Sequence, residues 1–127
     1  LVASELNIDI DLFKNGEIAT LFKLNCEWLN KLIKVKDIAS LEKVISIVPT
    51  SVKIELEKLL LTAKEVNYEN IIIAPLYYGS LRYYDGIYYR VINENLTLCN
   101  GGVYSSEDIN SLGFALYTDN LLKILED

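Results

Sequence analysis

The chain contains no histidine and no methionine, and it has only two cysteines and two arginines among its 127 residues. Without histidine, Ser-His-Asp triads, Cys-His pairs and most zinc sites are excluded. Cys26 and Cys99 follow no metal-ligand spacing, so their simplest interpretation is two reduced, semi-buried thiols in a cytoplasmic protein. We therefore predict no metal site, no cofactor and no catalytic residue.

The charge balance is acidic, with twelve basic residues against eighteen acidic ones and a net charge of −6. Nucleic-acid binding usually needs clustered lysines and arginines that replace counterions. Here the lysines are scattered, mainly over the first half of the chain. We expect no nucleic-acid binding through this segment, and a protein partner or a small ligand instead.

The length is typical of one domain, and 51% hydrophobic residues are enough to form a core. No run approaches the roughly 18 apolar residues of a membrane-spanning helix, so we expect no membrane association. The first residue is Leu1, and a piece cut from a longer protein is the expected origin of such a sequence.

The first half predicts one strand followed by helices. Apolar residues alternate with polar ones over residues 5–13, which predicts a half-buried strand. From Glu17 the spacing becomes helical and predicts one amphipathic helix to about Lys34. Two more helices are predicted within 37–66, separated at Pro49 because proline disfavours helical conformation in the residue before it.

The second half predicts antiparallel strands. The apolar run 71–74 predicts a buried central strand, and 83–92 and 96–99 predict a hairpin around a 93–95 loop. The second strand is predicted to end at Cys99, and the glycine pair Gly101-Gly102 follows it. A polar loop with a helical turn is then predicted over 105–111, before a last strand at 112–117 and a helix at 120–125. The predicted class is α+β, with an antiparallel sheet flanked by helices.

Tyrosine is concentrated in this half, since seven of the nine tyrosines lie between Tyr77 and Tyr104. Six of those seven occur as adjacent pairs. Neighbouring residues in a strand point to opposite faces, so at most one of each pair can line a given face. A single continuous aromatic platform for a glycan or a peptide is therefore disfavoured.

Three motifs follow one another here: L-R-Y-Y-D-G-I-Y-Y-R-V, C-N-G-G-V-Y and L-G-F-A-L-Y-T-D-N-L-L. Their order resembles the C-terminal part of the catalytic core of histidyl-tRNA synthetases and of their paralogue, the regulatory subunit of ATP phosphoribosyltransferase. The resemblance is specific over residues 76–122. It implies a class II synthetase-like core with residues 1–127 in a single domain, in which 37–66 form a shortened helical insertion.

Six residues that match these motifs would border the family's amino-acid pocket. They are Tyr83, Tyr84, Gly86, Gly101, Gly102 and Tyr104. The alternative is that these residues serve only turns and sheet packing, and the sequence leaves both interpretations open.

The charged residues of the family's site are replaced. The changed positions are Gly79, Arg82, Asp85, Arg90, Val103, Ser105, Asp119 and Asn120. Asn120 stands where the family has the arginine that contacts ATP, and adenylate formation needs such a positive group on the phosphates. The resemblance therefore implies a subunit that is not an enzyme.

The function implied by the resemblance is that of a regulatory subunit which binds the catalytic subunit of ATP phosphoribosyltransferase in histidine biosynthesis. Histidine as an effector and a homodimer are further expectations. Two alternatives stay open: a fragment of an active histidyl-tRNA synthetase, and a degenerate paralogue that serves as a dimerisation or binding module.

Overall fold

The structure, a computed structural model, describes residues 1–77 and 85–126. The chain is α+β and falls into two compact units, Leu1–Gly79 and Ser80–Asp127. The first unit is helical, and the second contains a three-stranded sheet followed by a helix. Within the described ranges, no helix is both long enough and apolar enough to cross a bilayer.

The chain begins with two short helices, α1 at Val2–Leu6 and α2 at Asp11–Lys14. The strand predicted over residues 5–13 is therefore wrong. Asn7 adopts a left-handed conformation with φ of 53° and ends α1. The side chain of Asp9 then accepts a hydrogen bond from the N–H of Asp11 at 2.9 Å. Such local side-chain bonds compete with strand pairing, and the alternation of apolar residues does not reveal them.

The single helix predicted to about Lys34 is interrupted. It is divided into α3 at Ile18–Phe22 and α4 at Glu27–Ile33. Asn25, between the two helices, has a φ of 52°. Asparagine tolerates this left-handed conformation better than most residues and commonly stands just beyond a helix end.

The two helices predicted within 37–66 are confirmed as α5 at Ile38–Ile45 and α6 at Thr50–Glu65. Asp37 caps α5, since its carboxylate accepts the N–H of Ser40 at 2.8 Å, while the Ser40 hydroxyl accepts the N–H of Asp37 at 3.1 Å. This reciprocal pair is a capping box, which satisfies two backbone donors at the helix start. The side-chain hydrogen bond from Ser40 is the main cause that lowers the pKa of Asp37.

The core of the first unit lies among α4, α5, α6 and the segments beside them. Its buried residues are Leu32, Val35, Leu41, Val44, Val52, Leu56, Ala63 and Ile73. The strand predicted at 71–74 is wrong, because these residues join no ladder among the described ones. The N–H of Ile73 instead bonds the carbonyl of Lys36 at 2.9 Å, and Ile72 is 85% exposed. Only every second residue is buried here, as expected of an extended segment that packs on one side.

The second unit contains β1 at Tyr88–Asn93, β2 at Leu96–Ser106 and β3 at Ile109–Leu116, followed by α7 at Thr118–Leu125. The strands are antiparallel and lie in chain order, with β2 in the centre. The class predicted from the sequence, α+β with an antiparallel sheet, is confirmed at this level.

Two predictions about the middle of this sheet are wrong. β2 continues through Gly101 and Gly102, because both are paired with β1 on one side and with β3 on the other. The predicted polar loop at 105–111 is a tight hairpin, with only Glu107 and Asp108 between the paired residues Ser106 and Ile109. The polar residues lie at the exposed end of the hairpin, where a strand does not need apolar side chains.

Candidate functional site

The register of the sheet determines which side chains share a face. Tyr88 is paired with Gly102, and Gly102 with Gly113, so these three residues form one row across the strands. Rows two residues apart lie on the same side. We call this side the tyrosine face; it contains Tyr88, Arg90, Asn100, Gly102, Tyr104, Gly113 and Ala115, together with Tyr117 just beyond β3.

Asn100 is the centre of a hydrogen-bonded network on the tyrosine face. Its side-chain oxygen accepts the hydroxyl of Tyr88 at 3.2 Å, and its side-chain nitrogen donates to the hydroxyl of Tyr117 at 2.7 Å. Asn100 is only 7% exposed. A buried amide without partners costs about 1–3 kcal/mol, so the two tyrosines compensate for its burial. The network joins β1, β2 and the residue after β3.

Glycine creates room on the tyrosine face beside this network. A Cβ atom added to Gly113 would lie 3.0 Å from the Cε1 atom of Tyr104, so the tyrosine ring leans over the glycine. Tyr104 is paired with Ser111, two residues from Gly113, so it belongs to the next row on the same face. The Tyr104 ring thus covers Gly113, and Tyr88 lies in the same row as Gly102 and Gly113 on this face.

The opposite side of the sheet has a different composition. We call three of its rows the apolar face; they contain Tyr89, Val91, Cys99, Gly101, Val103, Leu112, Phe114 and Leu116, and the next row, Ser105 and Asn110, is polar. Tyr89 lies over Gly101, where an added Cβ atom would collide with the tyrosine ring. Tyr88 and Tyr89 therefore point to opposite faces, as the sequence predicts for adjacent tyrosines in a strand.

The structure places the predicted pocket residues in different surroundings. Gly102 and Tyr104 lie on the tyrosine face, next to the Asn100 network. Gly101 lies on the apolar face, and Gly86 precedes β1, where an added Cβ would lie 2.9 Å from the Cβ of Val103. Tyr83 and Tyr84 lie outside the described residues.

Asn100 and Tyr117 are absent from the pocket predicted from the sequence. The signal that could have revealed them is an amide within the apolar segment Leu98-Cys99-Asn100, next to the glycine pair. Recognising it requires knowing that β2 continues through the glycines, because only then does Asn100 fall opposite Arg90 and beside Tyr88.

Asn120, in the position where the family has an arginine, has a structural contact. Its side-chain nitrogen donates to the carbonyl of Thr97 at 2.8 Å and so ties α7 to the start of β2. Leu98, next to Thr97, lies at a register shift between β1 and β2 and accepts the N–H of Tyr117 at 2.9 Å through its carbonyl. The short asparagine satisfies a backbone acceptor at this irregular point of the sheet.

The described part of the chain contains no group of three or more cysteine, aspartate and glutamate side chains that could hold a metal ion. On the tyrosine face the chemically active groups are hydroxyls, one buried amide and the guanidinium of Arg90. Such a set can bind a small polar ligand by hydrogen bonds, but it contains no nucleophile with an adjacent base.

No protein-family model matches the chain, and no solved structure matches it. Two curated proteins do match along almost its whole length. The ATP phosphoribosyltransferase regulatory subunit of Wolinella succinogenes is 36% identical over 123 residues, which are 97% of this chain. The subunit of the same name from Helicobacter hepaticus is 34% identical over 125 residues, which are 98% of this chain. The chain is related to ATP phosphoribosyltransferase regulatory subunits.

The predicted resemblance to ATP phosphoribosyltransferase regulatory subunits is thus confirmed, and it extends well beyond residues 76–122. The chain spans 43% and 44% of the lengths of these two relatives. The 127 residues of this chain therefore correspond to less than half of such a regulatory subunit.

Proposed function

We propose that this chain is part of a regulatory subunit that binds the catalytic subunit of ATP phosphoribosyltransferase in histidine biosynthesis. The observation that carries the proposal is the similarity of nearly all of the chain to two proteins of that name. It favours this role over an active histidyl-tRNA synthetase and over a binding module with an unrelated partner.

The tyrosine face is the proposed effector site, with histidine as the ligand. Gly102 and Tyr104, which the family resemblance assigns to an amino-acid pocket, share this face with the Asn100 network. The hydroxyls of Tyr88 and Tyr117 are held by the amide of Asn100, so they are oriented before a ligand arrives. Preorganised polar groups lose less entropy on binding.

The subunit itself is proposed to be non-catalytic. Val103 and Asn120 replace two arginines of the family's motifs, and Asn120 is engaged with the backbone of β2. A neutral amide in that contact supplies no positive charge for phosphates.

We also propose a class II synthetase-like core in which 1–127 belong to a single domain and 37–66 form a shortened insertion. The order of the three motifs and the antiparallel sheet that they form support this architecture. A cytoplasmic location and a homodimer belong to the same proposal.

The test uses the full-length polypeptide that contains these residues, purified together with the ATP phosphoribosyltransferase catalytic subunit from the same genome. We expect the two proteins to co-purify and the phosphoribosyltransferase rate to change when the regulatory protein is added. Absence of both effects would refute the role. Histidine-dependent exchange between ATP and pyrophosphate by the protein alone would favour the synthetase alternative.

The effector site is tested separately with two tyrosine variants. Tyr104→Ala changes the tyrosine face, whereas Tyr68→Ala removes an exposed tyrosine from the helical unit. We expect the histidine concentration for half-maximal response to rise about tenfold or more in Tyr104→Ala, equivalent to about 1.4 kcal/mol. An unchanged response in both variants, with co-purification intact, would remove histidine from the tyrosine face and leave the regulatory role standing.

A further inference from the structure

The apolar face of the sheet is largely exposed. Leu112 is 80% exposed and Phe114 is 66% exposed, and Tyr89, Val91 and Leu116 are exposed as well. They occupy consecutive rows: Tyr89, Gly101 and Phe114 form one, and Val91, Cys99 and Leu116 the next. The exposed side chains therefore lie on the two outer strands, β1 and β3, while Cys99 and Gly101 of the central strand between them are buried.

Such a surface needs a covering layer. Soluble proteins rarely expose contiguous apolar patches of more than a few hundred Å² unless the patch contacts something. An antiparallel sheet normally buries one face against a second layer and leaves the other face to solvent. In this sheet the tyrosine face has the buried amide network, whereas the outer-strand side chains of the apolar face are exposed.

The chemistry of the apolar face points to a permanent contact. None of its eight residues is charged. Interfaces between proteins that associate and separate are about as polar as the rest of the surface, whereas permanent contacts resemble a protein core. Rows of valine, leucine and phenylalanine at a spacing of two residues fit a second layer of the same folded body.

The length of the relatives indicates where this layer comes from. The chain spans only 43% and 44% of the two regulatory subunits. More than half of a polypeptide of that length thus lies outside these 127 residues and is available as a packing layer. We infer that in the full-length subunit the apolar face is an internal contact, covered by polypeptide beyond these 127 residues.

The inference rests on the exposure of the face and the length of the relatives, not on the regulatory role. It is tested on the isolated full-length polypeptide by footprinting with a carbene-generating reagent, without a catalytic subunit. Phe114 and Leu61 provide a matched pair, since each is 66% exposed here and Leu61 lies on the outer side of α6. We expect Leu61 to be labelled at least about fivefold more than Phe114 and Leu112 in the monomer, because buried side chains are shielded from solvent reagents.

Two serine variants give an independent readout in the same polypeptide. We expect Phe114→Ser to raise the equilibrium constant for unfolding more than about tenfold, since truncating a buried phenylalanine is costly. Leu61→Ser should change the constant by less than about threefold. Both effects should be independent of protein concentration.

Three outcomes would overturn the inference. Equal labelling of Phe114 and Leu61 would show that the face stays bare. Protection of Phe114 that disappears on dilution would assign the face to a second copy. Protection that requires the catalytic subunit would assign it to that partner. Should Phe114→Ser fail to fold, the footprint of the wild-type protein decides among these outcomes.

Discussion

The side-chain amide of Asn100 donates a hydrogen bond to the hydroxyl of Tyr117 at 2.7 Å and thereby links the central strand to the residue that precedes the last helix. The same amide accepts the hydroxyl of Tyr88. One buried polar residue therefore holds three segments that are distant in sequence.

We expect Asn100→Ala to lower the free energy of unfolding by about 1–3 kcal/mol, because two hydroxyls lose their partner and a buried position loses its side chain. Asn110→Ala is the control, since Asn110 is exposed and its side-chain oxygen accepts a hydrogen bond from the hydroxyl of Ser105 at 2.9 Å. It should cost less than about 0.5 kcal/mol. Urea unfolding checks both, and equal losses in the two variants would argue against the network.

Gly86 and Gly101 are expected to differ in their tolerance of alanine. The Cβ of Gly86→Ala would lie 2.9 Å from the Cβ of Val103, which is fixed to the backbone of β2. The Cβ of Gly101→Ala would meet the outer end of the Tyr89 ring, which is the far end of a side chain and not a Cβ atom fixed to the backbone.

Thermal unfolding should therefore show a loss of about 1–3 kcal/mol for Gly86→Ala and less than about 1 kcal/mol for Gly101→Ala. The order of the two variants is the test. A larger loss at Gly101 would mean that the Tyr89 ring is held firmly in its position.

Two substitutions in the turn between β2 and β3 should stabilise this hairpin. Glu107 and Asp108 have φ angles of 50° and 66°, a left-handed pair typical of type I′ turns. Asparagine and glycine adopt these angles with less strain, so Glu107→Asn combined with Asp108→Gly should stabilise the protein by about 1 kcal/mol.

Calorimetry checks the hairpin prediction through a higher Tm. Asn93→Gly serves as a control with the opposite sign, because Asn93 is a paired strand residue with Leu96 as partner and glycine weakens a strand. No rise in Tm for the Glu107 and Asp108 double variant would contradict the turn assignment.

Because of Asp37, the stability of the protein should depend on pH in the acid range. The hydrogen bond from the Ser40 hydroxyl, at 2.7 Å, lowers the pKa of Asp37 in the folded state below its ordinary value. A lowered folded pKa means that the stabilising contribution is present above the unfolded pKa and is lost as the pH falls through the folded one.

We therefore expect the wild-type protein to lose its advantage over Asp37→Asn as the pH is lowered from about 6 to about 2, across the aspartate range. Asparagine keeps an N-cap acceptor but does not titrate. Tm measured at intervals over this range checks the prediction. A constant difference between the two proteins would show that the side-chain oxygen at the N-cap stabilises the helix and that its charge does not.

The elements predicted correctly from the sequence are those fixed by local chemistry. Asp37 and Ser40 mark the start of α5, and Pro49 separates it from α6, because caps and proline act on the residues next to them. The strand at 5–13 was wrong for the same kind of reason, since Asn7 and Asp9 interrupt the alternation through their own backbone contacts. At 71–74, Ile73 is buried as a residue of a central strand would be, but its N–H bonds the carbonyl of Lys36 and not a neighbouring strand.

The candidate site depends on register, which the sequence leaves open. Composition and motif order alone established an acidic α+β chain, the absence of histidine chemistry and the resemblance to ATP phosphoribosyltransferase regulatory subunits. Only the pairing of β2 with both neighbours placed Gly102 and Tyr104 with Asn100 and put Gly101 on the apolar face. The physical reason is that side chains alternate along a strand, so each one's neighbours are determined by residues on other strands.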